Sequence, residues 1–340
     1  MSVVRAVTAM AVVLFGLVSC DSGDKGGPRT ESSPSPTDSS PSPTDPSPSP
    51  TTTELVDERI LQTLEHDFHT SDLELGFGSV WLEDHSMGSD VYRMDPGSGE
   101  ILKKFSLDRP CDIGIGLGGV WVSELEGSSL ARIDPRTNKI SARIKGLTEP
   151  CGSEVSGGAV WVGTADGVAR VDPDLKKVVA VVRIGRVAAL ATGEGSVWAA
   201  PEGRALLHRI DPATNDVVAK VRIGDAQAPP QGGIPYVGLG SVWVAHGSEV
   251  SRIDPETNKV IAMISTGAGA GRISFGFGSA WVTNYEDGTV SQIDPGTNEV
   301  VATIETGPSP NGIGVGLGGV WVANTGNRTV VLVAPKMPKA

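Results

Sequence analysis

The 340-residue chain is poor in cysteine and aromatics: three Cys, three Tyr, six Phe and seven Trp. One Cys stands at position 20, so two remain for a folded part, and neither a zinc knuckle nor a disulfide scaffold is available. Basic clusters are missing too. Forty acidic residues against 28 basic ones give a net charge of −12, which argues against nucleic acid and against docking on an acidic membrane face. No segment supplies the roughly 20 apolar residues a helix needs to cross a bilayer. With 39% hydrophobic and 20% charged residues, however, the chain is too apolar for wholesale disorder and long enough to bury a core.

The first 53 residues read as an address. Arg5 supplies a positive start, Ala6 to Val18 are almost wholly apolar, and Leu17-Val18-Ser19-Cys20 ends the run. These four residues resemble a bacterial lipobox, so residues 1–19 are expected to be a lipoprotein signal peptide and Cys20 the lipidated first residue of the mature chain. From residue 21 to 53 the composition shifts to Pro, Ser, Thr and Asp, with eight Pro between Pro28 and Pro50. Such a stretch favours extended polyproline II at about 3.1 Å per residue and forms no core, so residues 20–53 read as an anchor and a disordered tether reaching up to ~100 Å. The predicted location is the extracytoplasmic face of a bacterial cell membrane, with the membrane as partner through Cys20.

Residues 54–340 are a repeat. The seven Trp (Trp81, Trp121, Trp161, Trp198, Trp243, Trp281, Trp321) are spaced by 40, 40, 37, 45, 38 and 40 residues, each in the same local context. Short β-branched runs bounded by Gly, Pro, Asp and Asn predict four strands per unit. Asp-Pro-x-Thr-Asn at 134–138, 211–215, 254–258 and 294–298 places Pro where its fixed φ suits a type I turn and Asn where a left-handed residue re-enters the hairpin. A calcium loop is excluded there, because Pro and Thr replace the oxygen ligands. Runs such as Val120-Trp121-Val122 are apolar on both faces, so every sheet needs a neighbour on either side. The predicted fold is all-β: a seven-bladed β-propeller of four-stranded antiparallel blades. The last unit lacks a strand, and 58–64 matches the outer-strand pattern, so an N-terminal outer strand is expected to close the ring. An open solenoid would leave two apolar faces exposed.

Trp-Val-x-Asn, Arg-Ile-Asp-Pro and Val-x-Ala-x-Ile-x-x-Gly together resemble the YVTN-type and virginiamycin-B-lyase-like propellers, over roughly residues 54–334. That resemblance implies a catalytic His in a Glu-Pro-His-Gly stretch ten residues before a repeat Trp, and a metal-binding Glu four after it. Here the closest stretch is Glu149-Pro150-Cys151-Gly152, with Ala165 at the Glu place; in the last unit Asn311 and Thr325 stand there. No unit has His at that register, so the general base for lyase chemistry is absent.

Two further motifs resolve to packing. Gly114 to Gly119 and Gly314 to Gly319 match a dinucleotide fingerprint by letter, but a strand follows each, with no helix to hold a pyrophosphate. The Trp register suits blade packing rather than ligand stacking. The variable loops share one face, where binding groups are expected. Residues ten before each Trp (including Ser71, Cys111, Cys151 and Asn311) and three after (including Asp84, Glu124, His246, Asn284 and Asn324) are predicted to point to the channel mouth there. The ligand-binding candidates are Asp84, Glu124, His246, Arg272, Asn284, Asn311 and Asn324. Asp84, Glu124 and His246 are the candidates for a divalent cation. His66, His69, His85 and His208 show no metal spacing and read as surface or loop positions. Cys111 and Cys151 share a register on neighbouring inner strands, and a disulfide is expected there if their Cα atoms come within ~7 Å.

No Gly-x-Ser-x-Gly elbow occurs, and a quinone oxidoreductase would need a vicinal Cys pair that is missing. The expected function is therefore non-catalytic binding of a ligand or protein partner on the variable-loop face, by a monomer without a resident cofactor. The alternative is a metal-dependent lyase or hydrolase at the channel mouth.

Overall fold

A computed structural model describes residues 57–84, 89–223 and 233–335. The expected signal peptide, Cys20 and the expected tether, with His85 and most of the 225–235 loop, lie outside the described residues. Twenty-eight strands, β1 to β28 in chain order, form seven four-stranded antiparallel sheets arranged as a seven-bladed propeller. Six blades are consecutive in the chain. In the seventh, β26 (Pro310–Gly316), β27 (Gly319–Asn324) and β28 (Thr329–Val333) are completed by β1 (Ile60–Glu65), which pairs with β28 from Glu65↔Thr329 to Ile60↔Val333. The expected N-terminal closing strand is thus in place.

The reason for the ring is visible in the packing. All seven Trp are buried at 0 or 1% exposure, each against apolar residues of the next blade: Trp281 meets Ile313, Val320 and Val331, and Trp321 meets Leu73, Leu82 and Val80. Six of the indole N–H groups donate to the carbonyl five residues earlier, at Gly76, Gly116, Gly193, Gly238, Gly276 and Gly316. The same glycines leave room for the neighbouring inner strand. A Cβ on Gly76 would lie 2.6 Å from Ile115, on Gly193 2.5 Å from Val237, and on Gly316 3.3 Å from Leu75 of blade 1, where the circle meets itself. Blade 3 departs from this pattern, with Ser156 in the glycine place and the Trp161 indole unpaired.

The Asp-Pro-x-Thr-Asn turns form as expected. Asn138, Asn215, Asn258 and Asn298 have φ of 53°, 63°, 56° and 59°, and each Asp side chain accepts the amide two residues on, as from Arg136 to Asp134 at 2.8 Å. They also serve a purpose the sequence did not reveal, as docking sites for the preceding blade. Arg93, Arg170, Arg209 and Arg252 lie over their own blade's Trp ring at 4.9–5.4 Å and donate to the Pro carbonyl and Asn side chain of the next blade's turn. Blade 3 has Lys176 where the turns of blades 2, 4, 5 and 6 have Asn, and Arg132 of blade 2 bonds within its own blade instead.

Candidate functional site in the channel

The inner strands are β2 (Thr70–Gly76), β6 (Pro110–Gly116), β10 (Ser153–Ser156), β14 (Val187–Gly193), β18 (Ile234–Gly238), β22 (Ala270–Gly276) and β26. Each enters from the variable-loop face and leaves through a tight turn on the other. Five of them slip register near their start, as between Thr70 and Asp72 and between Pro110 and Ile113. Such bulges re-aim side chains. The residues that converge on the channel are accordingly those nine and seven before each Trp, one position away from the expected register. At the first level stand Asp72, Asp112 and Arg272, with Gly152, Ala189, Ile234 and Gly312 in the other blades; at the second stand Glu74, Glu154, Tyr236 and Ser274, with Gly114, Ala191 and Gly314.

Arg272 Nη1 lies 3.2 Å from Asp72 Oδ1 and 3.8 Å from Asp112 Oδ1, joining blades 6, 1 and 2. Gly312 of the intervening blade opens this route, since a Cβ there would lie 2.8 Å from Leu73. Asp72 is held by the Leu73 amide at 2.9 Å, and Asp112 by the Ser153 amide of blade 3 at 2.6 Å. Glu154 accepts a long hydrogen bond of 3.4 Å from Thr192 of blade 4.

Four carboxyls face one guanidinium, and the titration of Glu74, Asp112 and Glu154 is displaced. Burial, then the charges of Asp72, Glu154 and Asp112, push Glu74 well above the usual carboxylate range. Burial and Asp72 do the same to Asp112. Glu154 is pushed up to about 7, chiefly by burial, with the Thr192 hydrogen bond opposing. Burial also raises the Tyr236 phenol. For Arg272 burial works against the charge, but Asp72, Tyr236, Asp112 and Glu83 outweigh it and hold the guanidinium ionised. The Asp112 and Arg272 side chains keep 20% and 25% of their exposure, so solvent reaches the cluster and screens it in part.

At neutral pH the cluster therefore holds protons, and several carboxyls can donate as well as accept hydrogen bonds. A consequence for stability follows. The folded protein keeps the Glu154 proton above the ordinary value of 4.5, so this group's contribution is complete below about pH 4.5 and is lost as pH rises through about 7. Glu154→Gln cannot ionise. Urea unfolding at about pH 5 and about pH 8 is expected to show the variant gaining on the wild type by on the order of 1–3 kcal/mol at the higher pH. An unchanged difference between the two would contradict the raised Glu154.

Of the sequence candidates, only Arg272 belongs to this cluster. The residues three after each Trp do not reach the channel mouth together. Glu124 is fully buried, receives the Ser129 hydroxyl at 2.7 Å and the Asp108 amide at 3.3 Å, and pairs with Arg143 at 3.1 Å. Asn284 donates to Thr289 and Ser291 and accepts from the Gly267 amide; Asn324 donates to Thr306 and Thr329; His246 pairs with Ser251 at 2.7 Å. In blades 2, 6 and 7 this register fastens the loop entering the blade to the hairpin between its second and third strands, which is why polar residues recur there. Asp84 is buried at the same place, opposite Asp90. Among the described residues, no group of three or more His, Cys, Asp or Glu is placed to hold a metal ion, so Asp84, Glu124 and His246 do not form the cation site considered from the sequence. Asn311 is half-buried on β26. The expected disulfide joins Cys111 and Cys151, whose Cα atoms are 5.0 Å apart.

No family model and no curated protein matches this sequence. Among solved structures, virginiamycin B lyase from Staphylococcus aureus aligns with a TM-score of 0.68 at 17% identity, over 81% of this chain and 99% of that one. A streptogramin B lyase aligns at 0.66 with 16% identity, over 80% and 97%. The chain has the fold of these lyases. At such identities the likeness is one of fold, and function has to be argued from the site. In this lyase-fold propeller, the places where the resemblance implies a His base and a metal-binding Glu have other uses. Cys151 is in the disulfide, and the Thr325 hydroxyl donates to the Thr70 carbonyl at 2.6 Å, across the seam where the ring closes.

Asp72, Glu74, Asp112, Glu154 and Tyr236 went unnoticed in the sequence. The signal was present, as acidic and phenolic residues at two registers that other blades fill with Gly, Ala, Ile or Ser.

Proposed function

We propose that the protein is a lipid-anchored extracytoplasmic propeller, with Cys20 as the anchor and residues 21–53 as the tether, that binds a small cationic ligand at the variable-loop mouth of its channel without catalysis. The observation that carries this reading is the meeting of Asp72, Glu74, Asp112, Glu154 and Arg272 from four blades, four carboxyls against one guanidinium. Two buried atoms there, Asp72 Oδ2 and the Tyr236 hydroxyl, have no hydrogen-bond partner and remain for a ligand to satisfy. An amine would supply donors to them and replace the protons the carboxyls hold. No observation favours the alternative of a metal-dependent lyase or hydrolase.

The test is a thermal-shift screen of the purified protein with spermidine and agmatine, with glucose as neutral control and magnesium with and without chelator. Amines are expected to stabilise it, more at about pH 8 than at about pH 6, approaching ~2.7 kcal/mol at a hundredfold excess over Kd. Asp112→Asn is expected to abolish the shift. Stabilisation by magnesium alone would favour the metal reading, and an amine shift retained in Asp112→Asn would refute the channel site.

A further inference from the structure

Blade 4 contains a buried histidine that the fold does not use. His208 lies on β16 (Leu206–Ile210), opposite Lys220 of β17 (Val217–Arg222), and is 2% exposed. The sequence reading as a surface or loop position is corrected here: the third strand carries it inward. Neither ring nitrogen has a hydrogen-bond partner. An imidazole offers at least one donor whatever its tautomer, and an unmet buried polar group costs ~1–3 kcal/mol. At the equivalent register other blades place Tyr92, Ala131, Ala169 and Val331, or Ser251 and Ser291, whose hydroxyls meet His246 and Asn284. His208 is therefore not part of the repeat's own scaffolding.

Its ring lines an open pocket of about 390 Å³ at the outer seam between blades 3 and 4, with Ile184 and Val217 as apolar walls and Arg183, Arg204 and Lys220 as the charged groups. Of the acids nearby, Asp166 lies 3.9 Å from the pocket's own Arg183, and Glu202 is turned to Arg186 at 3.7 Å. Among the described residues, Arg204 and Lys220 have no ion pair. Burial, then the fields of Lys220 and Arg204, hold the imidazole below its ordinary range, so it is neutral when the pocket is empty.

The repeat supplies an internal comparison. The matching seam of blades 5 and 6 has a pocket of about 340 Å³ in which Ser265 replaces Arg183, Ser291 replaces His208, Thr303 replaces Lys220, and Asp287 stands on the loop corresponding to that of Arg204. The pocket is thus a by-product of blade stacking, while its basic lining is particular to one seam.

We propose that the seam between blades 3 and 4 is an anion site for a phosphate or phosphoester group, with the His208 imidazole donating to an oxygen at its floor and Arg183, Arg204 and Lys220 around its rim. Three cations facing one acid, Asp166 at 3.9 Å from Arg183, suit a multiply charged tetrahedral oxyanion better than a single carboxylate. The site shares no residue with the channel and stands independently of the function proposed there.

The experiment is an NMR titration of the ¹⁵N-histidine-labelled protein with inorganic phosphate at low ionic strength, alongside co-sedimentation with phosphatidylglycerol vesicles. Phosphate is expected to shift the His208 resonances saturably while leaving His246 unmoved. Arg204→Ala and Lys220→Ala, at exposed positions where folding is retained, are expected to weaken binding about tenfold or more each. Vesicle binding lost in the same variants would make a lipid headgroup the source, and response to phosphate alone would make it a soluble phosphoester. No saturable His208 shift at millimolar phosphate together with no vesicle binding, or a response unchanged in both variants, would overturn the proposal.

Discussion

Deleting residues 57–66 is expected to abolish the cooperative thermal transition of the protein. β1 is the only strand of the last blade supplied from the start of the domain, and its removal leaves β28 as a bare apolar edge, with Val330 and Val333 fully buried and Val331 nearly so in the intact ring. The loss extends beyond one blade. Ile60 packs into the cluster around Trp281, Leu64 into the cluster around Trp321, and the Arg59 guanidinium donates to the Thr303 carbonyl of blade 6 at 2.9 Å. A fully buried aliphatic side chain is worth roughly 1.5–3 kcal/mol and half-buried Ile60 and Leu64 less, but opening the seam exposes the faces of blades 7 and 1 besides. Since whole domains are stable by only about 5–15 kcal/mol, the sum is comparable to the total. Differential scanning calorimetry of the deleted chain checks this; an unchanged melting temperature would mean that the ring does not depend on its closing strand.

The architecture was legible because its causes repeat. Seven Trp at one register, strands apolar on both faces, and one Asp-Pro-x-Thr-Asn turn after another leave few solutions besides a closed ring, and the pairing of Cys111 with Cys151 follows from a shared register. The site was less legible for the opposite reason. It is made by departures from the repeat, and it is displaced by bulges that two-residue alternation does not reveal, so Asp112 reaches the channel while Cys111, its neighbour, bonds sideways to the next blade. Residues such as Glu124 and Asn284 misled because polarity at the end of a strand signals an unmet hydrogen bond as readily as a ligand, and here the loop entering the blade provides the partner. His208 reads as a surface or loop position in the sequence because only the packing of two blades makes its place an interior one.

Arg272→Ala is expected to destabilise the protein by about 3–5 kcal/mol, the usual result of removing one partner from a buried charge pair. Asp72, with a side-chain exposure of 2%, would keep only the Leu73 amide among its present donors, and Asp112 only the Ser153 amide. The variant is expected to take up further protons and to lose stability most steeply as pH rises, because the guanidinium favours the ionised forms of Glu74 and Asp112 and its removal raises both further. Amine binding responds as well, since the residual carboxyls would be more fully protonated and offer less charge to a cation.

The claim that these groups, contributed by separate blades, act as one unit is tested most directly by a double-mutant cycle on Arg272→Ala and Asp72→Ala, read by urea unfolding at about pH 7. The account predicts that the double variant loses less than the two single variants together, with a coupling of about 2–3 kcal/mol. Losses that add to within ~0.5 kcal/mol would show that the two side chains do not sense one another, and would contradict it.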